Sequence, residues 1–207
     1  MKKELKYYQQ LERRLKNAAK WQDRYDLKTI NLIAPASPTH PKYINIRLRH
    51  ASIIEGLLGK RPYAGAKGFN EIESIAAEAA CILFNAEHAN VQPHSVSQAN
   101  QAVYQALLEN GDRVLAMKFD VGGHLTHGMK KNFSGRHFNF DFYGTDNNGQ
   151  LDYKAIEVQA QKFKPKMIVC GASSYPRTIN FKRLSKIAKG VGAYLMADLS
   201  HPACLIV

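Results

Sequence analysis

The chain has 207 residues, of which 45% are hydrophobic and 22% are charged, and its formal net charge is +12. This composition is typical of a globular protein with one hydrophobic core, and no apolar run approaches the roughly 20 residues that a membrane-spanning helix needs. The basic charge favours phosphorylated or carboxylated partners. Because Lys and Arg are spread along the chain and no nucleic-acid-binding motif is present, we do not expect nucleic acid or a membrane as a partner.

The cysteines and the N-terminus indicate a cytoplasmic protein. Cys81, Cys170 and Cys204 are odd in number, far apart and set in apolar runs. This pattern favours buried, reduced thiols over disulfides or a metal site, so we expect no metal centre. The first residues continue into a polar helical pattern rather than into the apolar core of a signal peptide.

Hydrophobic periodicity divides the chain into two parts. Apolar residues at helical spacing over 3–21 predict an amphipathic helix, which we assign to an N-terminal arm spanning residues 1–28. Residues 29–207 form the second part, a partial α/β domain. Two helices are expected early in that domain, over 71–84 and 98–108.

From residue 112 onward, predicted strands alternate with helices. This order predicts an α/β fold with a mostly parallel sheet and right-handed crossovers. The predicted strands are 112–119, 137–143, 166–170 and 193–198, and the predicted helices are 153–163 and 181–190, the last with Gly190 as its C-cap.

Polar residues lie at two kinds of position where ligands commonly bind, the start of a helix and the carboxyl ends of strands. The loop 90–97 opens a helix for which Ser97 is the predicted N-cap, and free N–H groups at such a helix start suit a phosphate monoester. The same spacing also fits a capped helix after a turn, with no ligand. Polar side chains also follow the predicted strands, at the carboxyl ends where ligands bind in open α/β sheets: His124, Ser173, Asp198 and His201.

Longer motifs resemble one known family. The most specific are Gln92-Pro-His-Ser95 and Gly122-Gly-His-Leu-Thr-His-Gly128. Further matching pieces include Gly59-Lys-Arg61 with Tyr63, Ser97-Gln-Ala-Asn100, Ala102-Val-Tyr104, Asn132-Phe-Ser-Gly135, Gly171-Ala-Ser173, and Asp198 with His201. These motifs follow one order across about residues 30–203. On them the chain resembles serine hydroxymethyltransferase, a fold-type I pyridoxal-phosphate enzyme.

The resemblance implies a fold and an activity. The fold is the three-layer large domain of fold-type I transferases, here truncated before its last strands. The family reaction interconverts serine and tetrahydrofolate with glycine and 5,10-methylenetetrahydrofolate, using pyridoxal 5'-phosphate. The family is a dimer whose sites draw residues from both subunits, so we expect a homodimer or a complementing C-terminal half as partner.

The resemblance also assigns roles to individual residues. It places Val96 and Ser97 at the cofactor phosphate. It places His124 on the face of the pyridine ring and Asp198 at the pyridine nitrogen. Ser173 and His201 are expected near the ring and its phenolic oxygen. Its catalytic residues are Glu55 as acid/base, Tyr63 and His124. Its folate-binding stretch is Phe119 with Gly123, His124 and Leu125. His127 is interpreted as a structural hydrogen-bonding residue.

The sequence also departs from the family pattern. The family's Schiff-base lysine lies some tens of residues beyond the motif of Asp198 and His201, and its substrate-binding arginine lies later still. No residue up to Val207 can be assigned either role. Within the portion present, Pro35, Ile53 and Val96 replace family residues near the site.

These departures lead us to expect a chain that is inactive alone and that aggregates or needs a partner, because a sheet edge would be exposed. The alternative is a non-catalytic interaction protein that pairs with an intact paralogue.

Overall fold

The computed structural model describes residue 13 and residues 55–62, 67–171 and 173–203. The predicted N-terminal arm lies outside the described residues, apart from residue 13. Pro35, Ile53, Tyr63 and Cys204 also lie outside them.

Four strands form the centre of the described domain. They are β1 (Arg113–Met117), β2 (Asn139–Tyr143), β3 (Met167–Gly171) and β4 (Tyr194–Asp198), and their order in the sheet is β2-β1-β3-β4. Every neighbouring pair is parallel. The prediction of a mostly parallel α/β sheet is therefore confirmed.

The strands begin one or two residues later than predicted because neighbouring turns and helix ends occupy their flanks. Before β1, the Asp112 carboxylate accepts a hydrogen bond from the Glu109 N–H at 2.7 Å and belongs to a turn. After β1, residues Phe119–Val121 form a short 3-10 helix. His137, predicted as strand, is the last residue of a short helix.

In the described part of the chain, five α-helices connect and cover the strands. They are α1 (Lys67–Phe84), α2 (Val96–Leu107), α3 (Phe133–His137), α4 (Tyr153–Phe163) and α5 (Phe181–Gly190). The bounds of α4 and α5 agree with the prediction. The short helix α3 was not predicted. Among the described residues, no helix is both long enough and apolar enough to cross a membrane.

Two helix caps differ from the prediction. Ser95, not Ser97, is the N-cap of α2, because its backbone is extended and its side chain accepts a hydrogen bond from the Gln98 N–H. The Gln98 side chain in turn accepts from the His94 N–H at 2.8 Å, which resembles a capping box. At the end of α5, Gly190 lies inside the helix and Val191 is the C-cap.

Side chains from both faces of the sheet form the core. Because side chains alternate along a strand, Leu115 and Met117 of β1 contribute to one buried cluster and Val114 and Ala116 to another. The first cluster includes residues of α4 and α5, such as Ile156 and Leu184. The second includes Tyr104 of α2 and Phe138. Helices therefore cover both faces of the sheet and form three layers.

Gly171 ends β3 in a conformation that an L-residue rarely adopts, with φ +99°. A Cβ atom at this position would lie 1.9 Å from the carbonyl oxygen of Asp198 on the neighbouring strand. The close approach of β3 to the end of β4 therefore requires glycine.

We expect Gly171→Ala to lower the free energy of unfolding by about 3 kcal/mol or more, because it adds both backbone strain and a backbone clash. Urea denaturation of the purified chain measures this change. Gly190→Ala is the matched control, since a Cβ there meets nothing within 4 Å. It should change stability by less than about 1 kcal/mol. Equal effects of the two substitutions would contradict this explanation.

Candidate functional site

Asp198, the last residue of β4, is the centre of a buried hydrogen-bond network. Its side chain lies at the carboxyl end of the strand, and the residue is only 8% exposed. Oδ2 accepts hydrogen bonds from Asn100 Nδ2 at 2.9 Å and from His127 Nε2 at 3.0 Å. Oδ1 accepts from the backbone N–H of Ser200 at 3.1 Å and from the Ser200 hydroxyl.

These donors keep the Asp198 carboxyl ionised. Burial alone would raise the pKa of Asp198, but the hydrogen bonds from His127, Ser200 and Asn100 together outweigh burial and hold that pKa below its usual range. Within the described part of the chain, no Lys or Arg forms a salt bridge with this carboxylate. The site therefore presents an anion that is stabilised by a histidine and by neutral donors.

One branch of the network leads from Asp198 into the core under α2. His127 is bound on its other side by Tyr104, whose hydroxyl lies 2.8 Å from His127 Nδ1. Tyr104 is completely buried. Burial, and then the charge of Asp198, raise the pKa of the Tyr104 hydroxyl, which stays protonated. Asn100 and Tyr104 are four residues apart on α2, so that both reach the network from one helix face.

A second branch leads from Asp198 to His124. The amide nitrogen of Asn100 also lies 3.0 Å from Thr126 Oγ1, and Thr126 Oγ1 lies 2.6 Å from His124 Nδ1. Burial lowers the pKa of His124, and the neighbouring His127 and His201 lower it further, while Asp198 opposes them. The network therefore joins two predicted cofactor-binding residues, Asp198 and His124, through two buried polar side chains.

A cavity of about 340 Å³ lies beside His124. Its lining includes three of the four residues predicted to bind folate: Phe119, His124 and Leu125. Phe119 is 61% exposed, so its ring is available to a ligand. Gly123 is buried and does not line the cavity. A Cβ there would lie 2.3 Å from the Met117 carbonyl oxygen, so this glycine allows the loop to pack closely against the end of β1.

The other predicted site residues lie on neighbouring loops. Ser173 follows β3, and its N–H donates to the Gly122 carbonyl oxygen at 2.8 Å, which joins the loops after β3 and β1. His201 is partly buried and close enough to His124 to influence its pKa. Val96 and Ser97 are exposed at the start of α2, and Glu55 is exposed in a loop. Among the described residues, the structure brings Asp198 and His124 into one network and records no hydrogen bond between Glu55 and that network.

The loop that carries Glu55 is attached to α1 by Arg61 and to the loop before α2 by Gln92. The Arg61 guanidinium donates to Asn70 Oδ1 at 2.5 Å and pairs with the Glu73 carboxylate, both on α1. Gln92 Nε2 donates at 3.0 Å to both Glu73 Oε1 and the Gly56 carbonyl oxygen. The motif Gln92-Pro-His-Ser95 is thereby joined to the loop 55–62.

Sequence reasoning missed four members of the network as site residues: Asn100, Tyr104, Thr126 and Ser200. The first three lie inside motifs that carry the family resemblance. The spacing of Asn100 and Tyr104 is a usable signal, because two polar groups one helical turn apart point to one place. His127 does form structural hydrogen bonds, as interpreted from the sequence.

Comparison with known proteins decides the family. The family profile described as "Serine hydroxymethyltransferase" matches residues 8–207. The chain belongs to the serine hydroxymethyltransferase family. The predicted kinship is confirmed, and the parallel α/β domain is consistent with the fold-type I transferases.

Individual relatives agree with this assignment. A serine hydroxymethyltransferase of Mycoplasma mycoides subsp. mycoides is 56% identical over 153 residues, which is 73% of this chain and 37% of the relative. The serine hydroxymethyltransferase of Mycoplasma capricolum subsp. capricolum has the same identity and coverage, and that of Mycoplasma mobile is 52% identical. The matched region spans little more than a third of each relative.

We expect Tyr104→Phe to lower the free energy of unfolding by about 1–3 kcal/mol, because it leaves His127 Nδ1 buried without its hydrogen-bond partner. Denaturant titration followed by circular dichroism checks this. Tyr194→Phe removes a hydroxyl from a side chain that is 49% exposed and should change stability by less than about 0.5 kcal/mol. A Tyr104→Phe variant as stable as Tyr194→Phe would show that the network contributes nothing to stability.

Proposed function

We propose that this chain forms the cofactor-binding part of a serine hydroxymethyltransferase site. The reaction would interconvert serine and tetrahydrofolate with glycine and 5,10-methylenetetrahydrofolate, with pyridoxal 5'-phosphate as cofactor. The observation that carries the proposal is the ionised, buried carboxylate of Asp198 at the end of β4, joined through Asn100 and Thr126 to His124. Family membership supports the same assignment.

The residues present fit the cofactor at its ring nitrogen. A carboxylate offers about four acceptor positions, and four donors approach Asp198. One of these donors, the Ser200 hydroxyl, belongs to an exposed residue and can rotate away. A protonated pyridine nitrogen would take its place, while the other three donors hold the carboxylate still.

The residues also fit the cofactor at its phosphate. The first helical hydrogen bond of α2 runs from the Ala99 N–H to the Ser95 carbonyl oxygen, and Ser95 Oγ accepts from Gln98 N–H. The N–H groups of Val96 and Ser97 come before both bonds and have no partner within the described part of the chain. They lie at the positive end of the helix dipole, which suits a phosphate.

When bound, pyridoxal 5'-phosphate supplies a ring that accepts the electrons of the bond broken at the amino-acid substrate. In this proposal, Asp198 would keep the ring nitrogen protonated, and His124 would stack on the ring. Ser173 and His201 would hold the side of the ring that carries the phenolic oxygen. Glu55 would move a substrate proton, and Tyr63 is the second residue to which this proposal gives a catalytic role. Phe119 and Leu125 would bind the folate together with His124, and Gly123 would allow their loop to pack against the end of β1.

This proposal assigns two further residues to the portion of the relatives that the match does not cover. They are the lysine that holds the cofactor and the arginine that holds the substrate carboxylate. Helix α1 offers a surface for a completing chain or a second copy. Ile75, Ile82 and Leu83 on it are 56%, 75% and 58% exposed. Large exposed apolar groups on one helix are typical of protein interfaces.

Binding of pyridoxine 5'-phosphate tests the cofactor site, because this analogue has an alcohol in place of the aldehyde and cannot react with surface lysines. We expect isothermal titration calorimetry to detect binding and Asp198→Asn to weaken it about 10-fold or more, since a charge-assisted hydrogen bond is lost. Glu157→Gln is the control, because it removes one exposed carboxylate from α4. No binding, or equal loss in both variants, would overturn the cofactor assignment.

Complementation tests the reaction. We expect the chain, co-expressed with the uncovered C-terminal portion of the Mycoplasma mycoides relative, to produce glycine from serine in a tetrahydrofolate-dependent assay. With the Asp198→Asn variant, activity should fall at least about 100-fold, because the ring nitrogen loses its carboxylate partner. A stable complex without activity would instead support the non-catalytic interaction protein.

A further inference from the structure

A chain of hydrogen bonds links Asp198 to His124. The Asp198 carboxylate determines which group donates and which accepts in each of these bonds. The ionised Asp198 carboxylate can only accept, so Asn100 must present its amide nitrogen at 2.9 Å. The same nitrogen lies 3.0 Å from Thr126 Oγ1, which therefore accepts its second hydrogen. The hydroxyl hydrogen of Thr126 is then free to point at His124 Nδ1, 2.6 Å away.

A second donor reaches the same histidine nitrogen. The backbone N–H of Thr126 points at His124 Nδ1 at 3.3 Å. A ring nitrogen that accepts hydrogen bonds cannot carry a hydrogen itself. The one hydrogen of the neutral ring is therefore left for Nε2, which has no hydrogen-bond partner within the described part of the chain.

We propose that Asn100 and Thr126 are positioning residues that transmit the fixed orientation of the Asp198 carboxylate to His124 and hold it as a neutral imidazole with its hydrogen on Nε2. His124 then offers a ligand in the 340 Å³ cavity a flat, uncharged ring with one N–H donor, and neither a cation nor a base. Both positioning residues are buried, at 4% and 0% exposure, so no solvent competes for their hydrogen bonds.

The charged and titratable surroundings favour the neutral ring. His127 and His201 lie near His124, and Lys118 and Lys130 line the same cavity. Against these potential cations stand Asp198, whose charge is already shared among four donors, and Asp120 at the cavity. If the proposed function holds, a neutral ring can stack on the protonated pyridine without charge repulsion.

Nitrogen NMR of the ¹⁵N-labelled full chain without cofactor tests the proposal directly. Long-range proton–nitrogen correlations distinguish the two tautomers, and a His124→Gln variant assigns the signals. We expect a protonated Nε2 and an unprotonated Nδ1 in the neutral ring. A hydrogen on Nδ1 in the unmodified chain would overturn the proposal without any variant having to fold.

A variant pair at Thr126 tests the transmission. Thr126→Val removes the hydroxyl with little change of shape, and the titration midpoint of His124 should rise by about one pH unit because the neutral ring loses a donor. Thr126→Ser keeps the hydroxyl and should retain the midpoint of the unmodified chain. An unchanged midpoint and tautomer in a folded Thr126→Val variant would contradict the role of Thr126. Because no cofactor is present, these results are independent of the pyridoxine 5'-phosphate titration.

Discussion

The buried anion at Asp198 is the constraint on which the candidate site depends. A carboxylate that leaves water is costly unless its oxygens are fully hydrogen-bonded. Here α2 supplies Asn100, the loop after β1 supplies His127, and the residues after β4 supply Ser200. Three separate segments must therefore meet at one side chain before the charge is tolerated. The same requirement fixes their positions relative to one another, which is what a binding site for a rigid ring needs.

The topology of the sheet explains why these segments meet. In a parallel sheet, all strands end at the same edge, and the order β2-β1-β3-β4 makes β1, β3 and β4 successive neighbours. Their carboxyl ends bring together the loop with His124, the turn with Ser173 and the residues after Asp198. The Ser173 N–H bonded to the Gly122 carbonyl oxygen and the glycine at position 171 allow these loops to approach closely. The parallel direction of the strands therefore explains why these loops share one edge of the sheet. The side chains on the loops determine which hydrogen bonds form around Asp198.

The sequence predicted regular elements well and short-range geometry less well. Helices α4 and α5 were found because their apolar residues repeat over three turns. Helix α3 has five residues, too few for a period to show. The cap at Ser95 was missed because two serines flank Val96 and either could begin a helix. Only the hydrogen bond from the Gln98 N–H to Ser95 Oγ identifies the cap, and the sequence does not show it. Asn100 and Tyr104 read as ordinary residues of an amphipathic helix, since their partners are 98 and 23 residues away in the chain.

The network also bears on the departure from the family pattern at Val96. This residue begins α2 and is 44% exposed, so it is not one of the buried polar groups around Asp198. Its N–H precedes the first helical hydrogen bond, and the proposed function assigns this group to the cofactor phosphate. The groups that would hold the ring are separate from this end of the site, because Asn100 lies one turn further along α2. Under the proposed function, a change at Val96 would therefore alter how the phosphate is held without disturbing the orientation of Asp198, and the two ends of the site could diverge independently.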